Sequence, residues 1–167
     1  GWTFGIQERE LQEKVGEVRT AGAQVVVLLS HNGADTDIKL ASRVTGIDAI
    51  LGGHTHDAIP RALEVKNAGG MTLVTNAGSS GKFLGVLDFE VRDGRTRDWS
   101  YRLLPVFAEL LPPDPAMSDL IARIRAPFTE RLAEPLAMTD DLLYRRGNFN
   151  GSVDQLICEA LMGELDA

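Results

Sequence analysis

Histidine is scarce in this chain, and its placement is not scattered. The three histidines, His31, His54 and His56, each follow an apolar run, Val25 to Leu29 for the first and Ile47 to Leu51 for the other two. Ends of apolar strands in β/α sheets are where side chains converge on a site held rigid by the sheet. His54-Thr55-His56 is preceded by Gly52-Gly53, which permit close backbone approach. In extended backbone, residues two apart point to the same side, so both imidazoles are expected to face one centre. Imidazole nitrogens combined with carboxylates suit manganese, iron and zinc. Each histidine has an alternative as a satisfied surface or core residue. Asp35, Asp37 and Asp57 lie nearby in sequence but serve equally well as cap or turn residues.

The elements that must position these groups follow from periodicity. Gln7 to Ala21 carries Leu11, Val15 and Val18 on one face, which predicts an amphipathic helix ended by Gly22. Ala23 to Ser30 predicts a strand covered on both faces, because its apolar run does not alternate. Asp35 is placed to cap a short helix over 37–44. Strands follow at Ile47 to Leu51 and Met71 to Thr75, and a hairpin over 85–104 turns at Asp93-Gly94. Pro105 to Pro115 reads as a linker. Asp114-Pro115 opens a helix bent at Pro127, and Leu136 to Tyr144 reads as a strand. Ser152 to Gln155 is a capping-box pattern opening a last helix, with Cys158 on its inner side as a buried thiol.

Composition narrows the field. With 167 residues, 44% hydrophobic and 25% charged, the chain is ordinary globular material. Its net charge of -7, from 17 basic and 24 acidic residues, with no basic stripe, argues against a nucleic-acid partner. No apolar run approaches the roughly 20 residues of a membrane span. One cysteine forbids an intrachain disulfide and leaves the redox compartment open. The opening Gly1 to Ile6 reads as the middle of a longer sequence, so the chain is expected to be a fragment.

Three motifs in order resemble a known superfamily. Leu29-Ser30-His31-Asn32-Gly33, Gly52-Gly53-His54-Thr55-His56-Asp57, and Asn76-Ala77-Gly78 with Gly81-Lys82-Phe83-Leu84-Gly85 are similar to the later motifs of the calcineurin-like metallophosphoesterases, in their 5'-nucleotidase branch. Trp2 to Gln7, Tyr101 to Phe107 and especially Leu142 to Gly151 resemble the SoxB family, the thiosulfohydrolases of bacterial sulfur oxidation. The likeness extends over essentially the whole chain.

The resemblance implies an α/β fold, part of a four-layer α/β/β/α metallophosphoesterase sandwich, followed by a linker helix and the start of an α+β C-terminal domain. Residues 1–105 would be the later half of the catalytic domain, 106–135 the linker and connecting helix, and 136–167 the start of the next domain. His31 would bind one metal ion together with His54, and His56 the other, the two ions being manganese. The implied reaction releases sulfate from a cysteine S-thiosulfonate on a SoxYZ-like carrier protein in the periplasm. Arg145 and Arg146 are candidate substrate-binding residues, able to offer bidentate donors to a sulfonate or phosphate; solvated loop charges are the alternative. Asn32 and Asp57 could orient an imidazole, and Phe149 could touch a substrate arm or anchor its loop. Gly78 to Lys82 lacks Walker spacing and reads as a tight turn.

One departure matters. The family's earlier motifs, Asp-x-His, Gly-Asp and Gly-Asn-His-Asp/Glu, which supply the bridging carboxylate and the catalytic histidine, are not in this sequence. The chain is therefore expected to be inactive alone, with a partial or empty metal site and no assignable catalytic residue. A 5'-nucleotidase or cyclic phosphodiesterase fragment, and a non-catalytic metal-binding module, remain as alternatives.

Overall fold

The structure, a computed structural model, describes residues 5–145 and 151–165. It divides into two compact units, Gly1–Pro112 and Pro113–Ala167.

The first unit opens with helix α1, Glu8–Thr20, whose Val15 is 4% exposed. Gly22 stops it at φ 99, with its N–H on Arg19 C=O and the Ala23 N–H on Val18 C=O, a Schellman ending that consumes the last carbonyls. Strand β1, Val27–Leu29, pairs parallel with β2, Ala49–Gly52, and helix α2, Ala34–Arg43, makes the crossover. Strand β4, Gly70–Asn76, lies parallel on the far side of β2, and β3, Leu63–Asn67, completes the sheet antiparallel to β4. The order is β1-β2-β4-β3. Strand β3 is absent from the sequence reading, although Leu63 and Val65 alternate with Glu64 and Lys66 in the period of a half-exposed strand.

Val15, Leu40, Ala41, Val44, Ile47, Ile50 and Val74 form one core, with Leu11, Val26, Leu28, Ile38 and Val65 packed against it. This corrects the expectation that the first strand is covered on both faces. Val26 and Leu28 reach that core, whereas Val27 and Leu29 are 44% and 78% exposed. Strand side chains alternate in direction, so Val27 and Leu29 lie on the opposite face, which is buried farther in at Ala49 and Leu73 and open only along β1 at the edge of the sheet. The cap of α2 is also corrected: the helix begins at Ala34, with Gly33 at the cap position (φ 93), and Asp35 sits within its first turn.

Strands β5, Phe83–Arg92, and β6, Arg95–Pro105, form the expected hairpin as a two-stranded sheet of their own. Its two-residue turn has positive φ at both Asp93 (52) and Gly94 (71), the twist that matches paired strands. The Tyr101 hydroxyl donates to the Ile59 carbonyl at 3.2 Å, tying the hairpin to the loop after β2. Burial lifts the Tyr101 pKa above the ordinary tyrosine value. An unfolded tyrosine ionises near pH 10, while the folded one keeps its proton to higher pH. The stability Tyr101 contributes is thus fully present below about pH 10 and is lost as pH rises past it. Tyr101→Phe is expected to cost about 1 kcal/mol at neutral pH and to remove this alkaline component. Urea unfolding between neutral pH and pH 11 checks it; an unchanged alkaline loss in the variant would contradict the assignment.

In the second unit, Asp114 Oδ1 accepts the Met117 N–H at 2.8 Å and caps α3, Pro115–Arg125. A 3-10 turn over Ala126–Phe128 introduces the bend at Pro127 before the short helix α4, Thr129–Ala133. Three expectations fail here. Residues 136–144 form no strand among the described residues, and Leu136 and Met138 are 89% and 95% exposed, without the ladder partner a strand requires. The last helix, α5, spans Ser152–Leu165, but Ser152 is inside it, and its hydroxyl accepts the Tyr144 N–H at 2.7 Å instead of closing a capping box. Cys158 is exposed, as are the apolar Leu156, Ile157 and Leu161 of the same helix. No helix among the described residues is long and apolar enough to cross a membrane.

Candidate metal centre

Parallel pairing sets the geometry of the site. Leu29 of β1 is in register with Leu51 of β2, and the Ser30 N–H continues the ladder onto Leu51 C=O at 3.0 Å. His31 and His54 therefore leave neighbouring strands at the same end of the sheet. Their rings meet edge to face, with centroids 5.2 Å apart and planes at 72°. Gly53 makes the approach possible, since a Cβ there would stand 3.2 Å from His31 Nδ1 and 3.4 Å from the Ser30 carbonyl.

The backbone through the His-x-His segment is not extended, which corrects the expectation that both side chains point one way. The Thr55 N–H reaches back to Gly53 C=O at 2.9 Å, closing a γ-turn centred on His54 at φ 71. His56 is also left-handed, at φ 58. For residues carrying a Cβ, such backbone costs of order 1–3 kcal/mol and is held by its surroundings. Those surroundings are visible. Thr55 Oγ1 accepts the Ala34 N–H at 3.3 Å and donates to Asp57 Oδ2 at 2.5 Å. The Asp57 carbonyl accepts the Gly78 N–H at 2.8 Å, and the Asn76 carbonyl accepts the Ile59 N–H at 2.9 Å. Asn76, 2% exposed at the end of β4, turns its amide toward Gly53 C=O at 3.5 Å.

The structure thus brings His31 and His54 together. Among the described residues no three His, Cys, Asp or Glu side chains cluster to hold a metal ion, so His56 does not complete the pair. Asn32 turns inward to Ser30 Oγ, and Asp57 accepts from Thr55. Ser79 to Lys82 is a tight turn, with Ser80 and Gly81 at φ 57 and 67. Arg145 is exposed in the second unit; Arg146 and Phe149 lie outside the described residues. The group the sequence reading undervalued is Asp37. It is fully buried, and the sequence signal for this is its helical spacing with Leu40, Ala41 and Val44.

The chain is similar to the solved sulfate thiohydrolase SoxB of Thermus thermophilus, at 38% identity and TM-score 0.81, over 98% of this chain and 30% of that one. It is similar to a 5'-nucleotidase precursor, also from Thermus thermophilus, at 27% identity and TM-score 0.71, over 81% of this chain and 29% of that one. It also shares 43% identity over 63 residues with the trifunctional nucleotide phosphoesterase YfkN of Bacillus subtilis, 38% of this chain and 4% of that protein. No family model matches. Fold and sequence place the chain in the 5'-nucleotidase branch of the metallophosphoesterases. Within that branch it is SoxB-like, and it corresponds to a part of such a protein, spanning less than a third of SoxB.

An imidazole pair at this distance fits two donors of one metal ion, and the described residues supply no carboxylate beside them.

Proposed function

We propose that the chain is a portion of a periplasmic thiosulfohydrolase that releases sulfate from a cysteine S-thiosulfonate on a SoxYZ-like carrier protein. The observation that carries this reading is the 38% identity with SoxB over 98% of the chain, against 27% over 81% for the nucleotidase precursor. In the full-length enzyme His31 and His54 would bind one ion of a dinuclear manganese centre, and His56 would bind the other. Bound ions supply Lewis-acid charge stabilisation and water activation. This chain's own work is to hold the imidazoles rigidly at strand ends. Arg145 and Arg146 would pair with the sulfonate oxygens.

The full-length parent is expected to release sulfate from thiosulfonated carrier and little phosphate from adenosine monophosphate. The 167-residue chain alone is expected to turn over neither, because the bridging carboxylate is not in it. Phosphate release that dominates in the parent would select the nucleotidase reading, which the likeness to the Thermus thermophilus nucleotidase precursor supports. Turnover by the purified chain, abolished in His54→Ala, would overturn the reading of the chain as an incomplete part of the catalytic domain.

A further inference from the structure

Asp37 occupies a position that helix periodicity assigns to the core. With Leu40, Ala41 and Val44 it lies on the buried stripe running down and just beyond α2, and it is 0% exposed. A carboxylate there is costly, since an apolar residue would fill the space without a desolvation penalty. Its bonding makes the cost plainer. Oδ1 accepts the Ser30 hydroxyl at 2.5 Å, while Oδ2 has no hydrogen-bond partner among the described residues. Oδ2 instead packs on the end of β2, 2.8 Å from where a Cβ on Gly52 would stand. Asp37 is therefore wedged beneath the two strand ends from which His31 and His54 depart.

What the carboxylate achieves is directional. A serine hydroxyl has one proton to give and two lone pairs to receive. Because Ser30 gives its proton to Asp37, both lone pairs are turned toward Asn32. The Asn32 Nδ2 and backbone N–H point at Ser30 Oγ at 3.0 and 3.3 Å. Every bonding capacity of that hydroxyl is used, and the residue enclosed by this loop of bonds is His31. We infer that Asp37 is a positioning residue: acting through Ser30 and Asn32, it sets the His31 ring against His54. Its consequence for metal binding rests on the reading of the two histidines as ligands; its consequence for ring geometry does not.

The test compares the chain with Asp37→Ala, Ser30→Ala and Asp37→Asn. Two readouts are taken, nuclear Overhauser contacts between the carbon-bound protons of the two rings and calorimetric titration with Zn²⁺ alone. Asp37→Asn keeps an oxygen to accept from Ser30 and is expected to retain both ring contact and Zn²⁺ affinity. Asp37→Ala and Ser30→Ala are expected to lose the ring contact and weaken Zn²⁺ binding about 10- to 100-fold, with the core methyl spectrum preserved. The double variant is expected to be no worse than either single one, because the two groups act through one bond. If Asp37→Ala fails to fold, Ser30→Ala decides alone. Ring contact that persists in Ser30→Ala overturns the inference, whatever the metal does. Loss of ring contact in a chain that never binds Zn²⁺ upholds the inference and counts against the metal reading.

Discussion

Asp48→Ala is expected to lower the unfolding free energy of the first unit by about 3 kcal/mol, because it removes one partner of a partly buried ion pair and the acceptor of a backbone N–H together. Asp48 stands just ahead of β2, with its side chain 14% exposed. Its Oδ2 accepts the Val26 N–H at 2.7 Å and also the Arg19 guanidinium. Its Oδ1 accepts the Thr96 hydroxyl at 2.8 Å. One carboxylate thereby joins the end of α1, the entry to β1 and the strand β6. Removing it leaves a backbone donor and a charge without their acceptor, which is worse than losing a contact. Arg19 softens the loss, since it also donates to the carbonyls of Gly46, Ala23 and Gln24. Thr96→Ala removes one neutral donor and is expected to cost only about 1 kcal/mol. Urea unfolding of the variants measures both. A loss below about 1 kcal/mol for Asp48→Ala would show that the clamp is not what joins these elements.

His54→Ala and His31→Ala are each expected to reduce Zn²⁺ or Mn²⁺ affinity at least ~10-fold. Removing a residue that merely orients a ligand already costs that much, and removing the ligand itself cannot cost less. The two substitutions should not add, because an ion held by two imidazoles 5.2 Å apart loses its chelation when either goes. His56→Ala, outside that pair, is expected to leave this affinity unchanged. Calorimetry on the three variants separates these outcomes. Equal loss in all three would mean the left-handed backbone at 54 and 56 delivers the rings to one point after all. Stability gives a second reading: His54→Gly relaxes the γ-turn at φ 71, so it should lose metal without losing stability.

The local elements were legible because their causes are local. Leu11, Val15 and Val18 recur at helical spacing, Asp93-Gly94 accepts positive φ at both turn positions, and Asp114-Pro115 starts a helix whatever surrounds it. The order of the three histidine-bearing and glycine-bearing motifs was sufficient to indicate the 5'-nucleotidase branch. Leu136 to Tyr144 shows the limit, since an apolar segment becomes a strand only when another strand pairs with it.

The site was only half legible. Sequence placed His31 and His54 at strand ends, but which strands are neighbours is a property of the sheet order β1-β2-β4-β3. Only that order makes residues 23 positions apart touch. The backbone at His54 and His56 was misread because a His-x-His pair looks extended until a backbone bond from Thr55 to Gly53 closes the turn. Asp48 looks like the chain's other aspartates, and Asp37 differs from them only in sharing a helix face with Leu40 and Ala41. One becomes the brace under two strand ends and the other the joint of three elements, across separations of 7, 22, 29 and 48 residues. Periodicity and turn chemistry act over a few residues and are written in the sequence, while burial of a charge and the meeting of two rings depend on which surfaces the packed chain brings together.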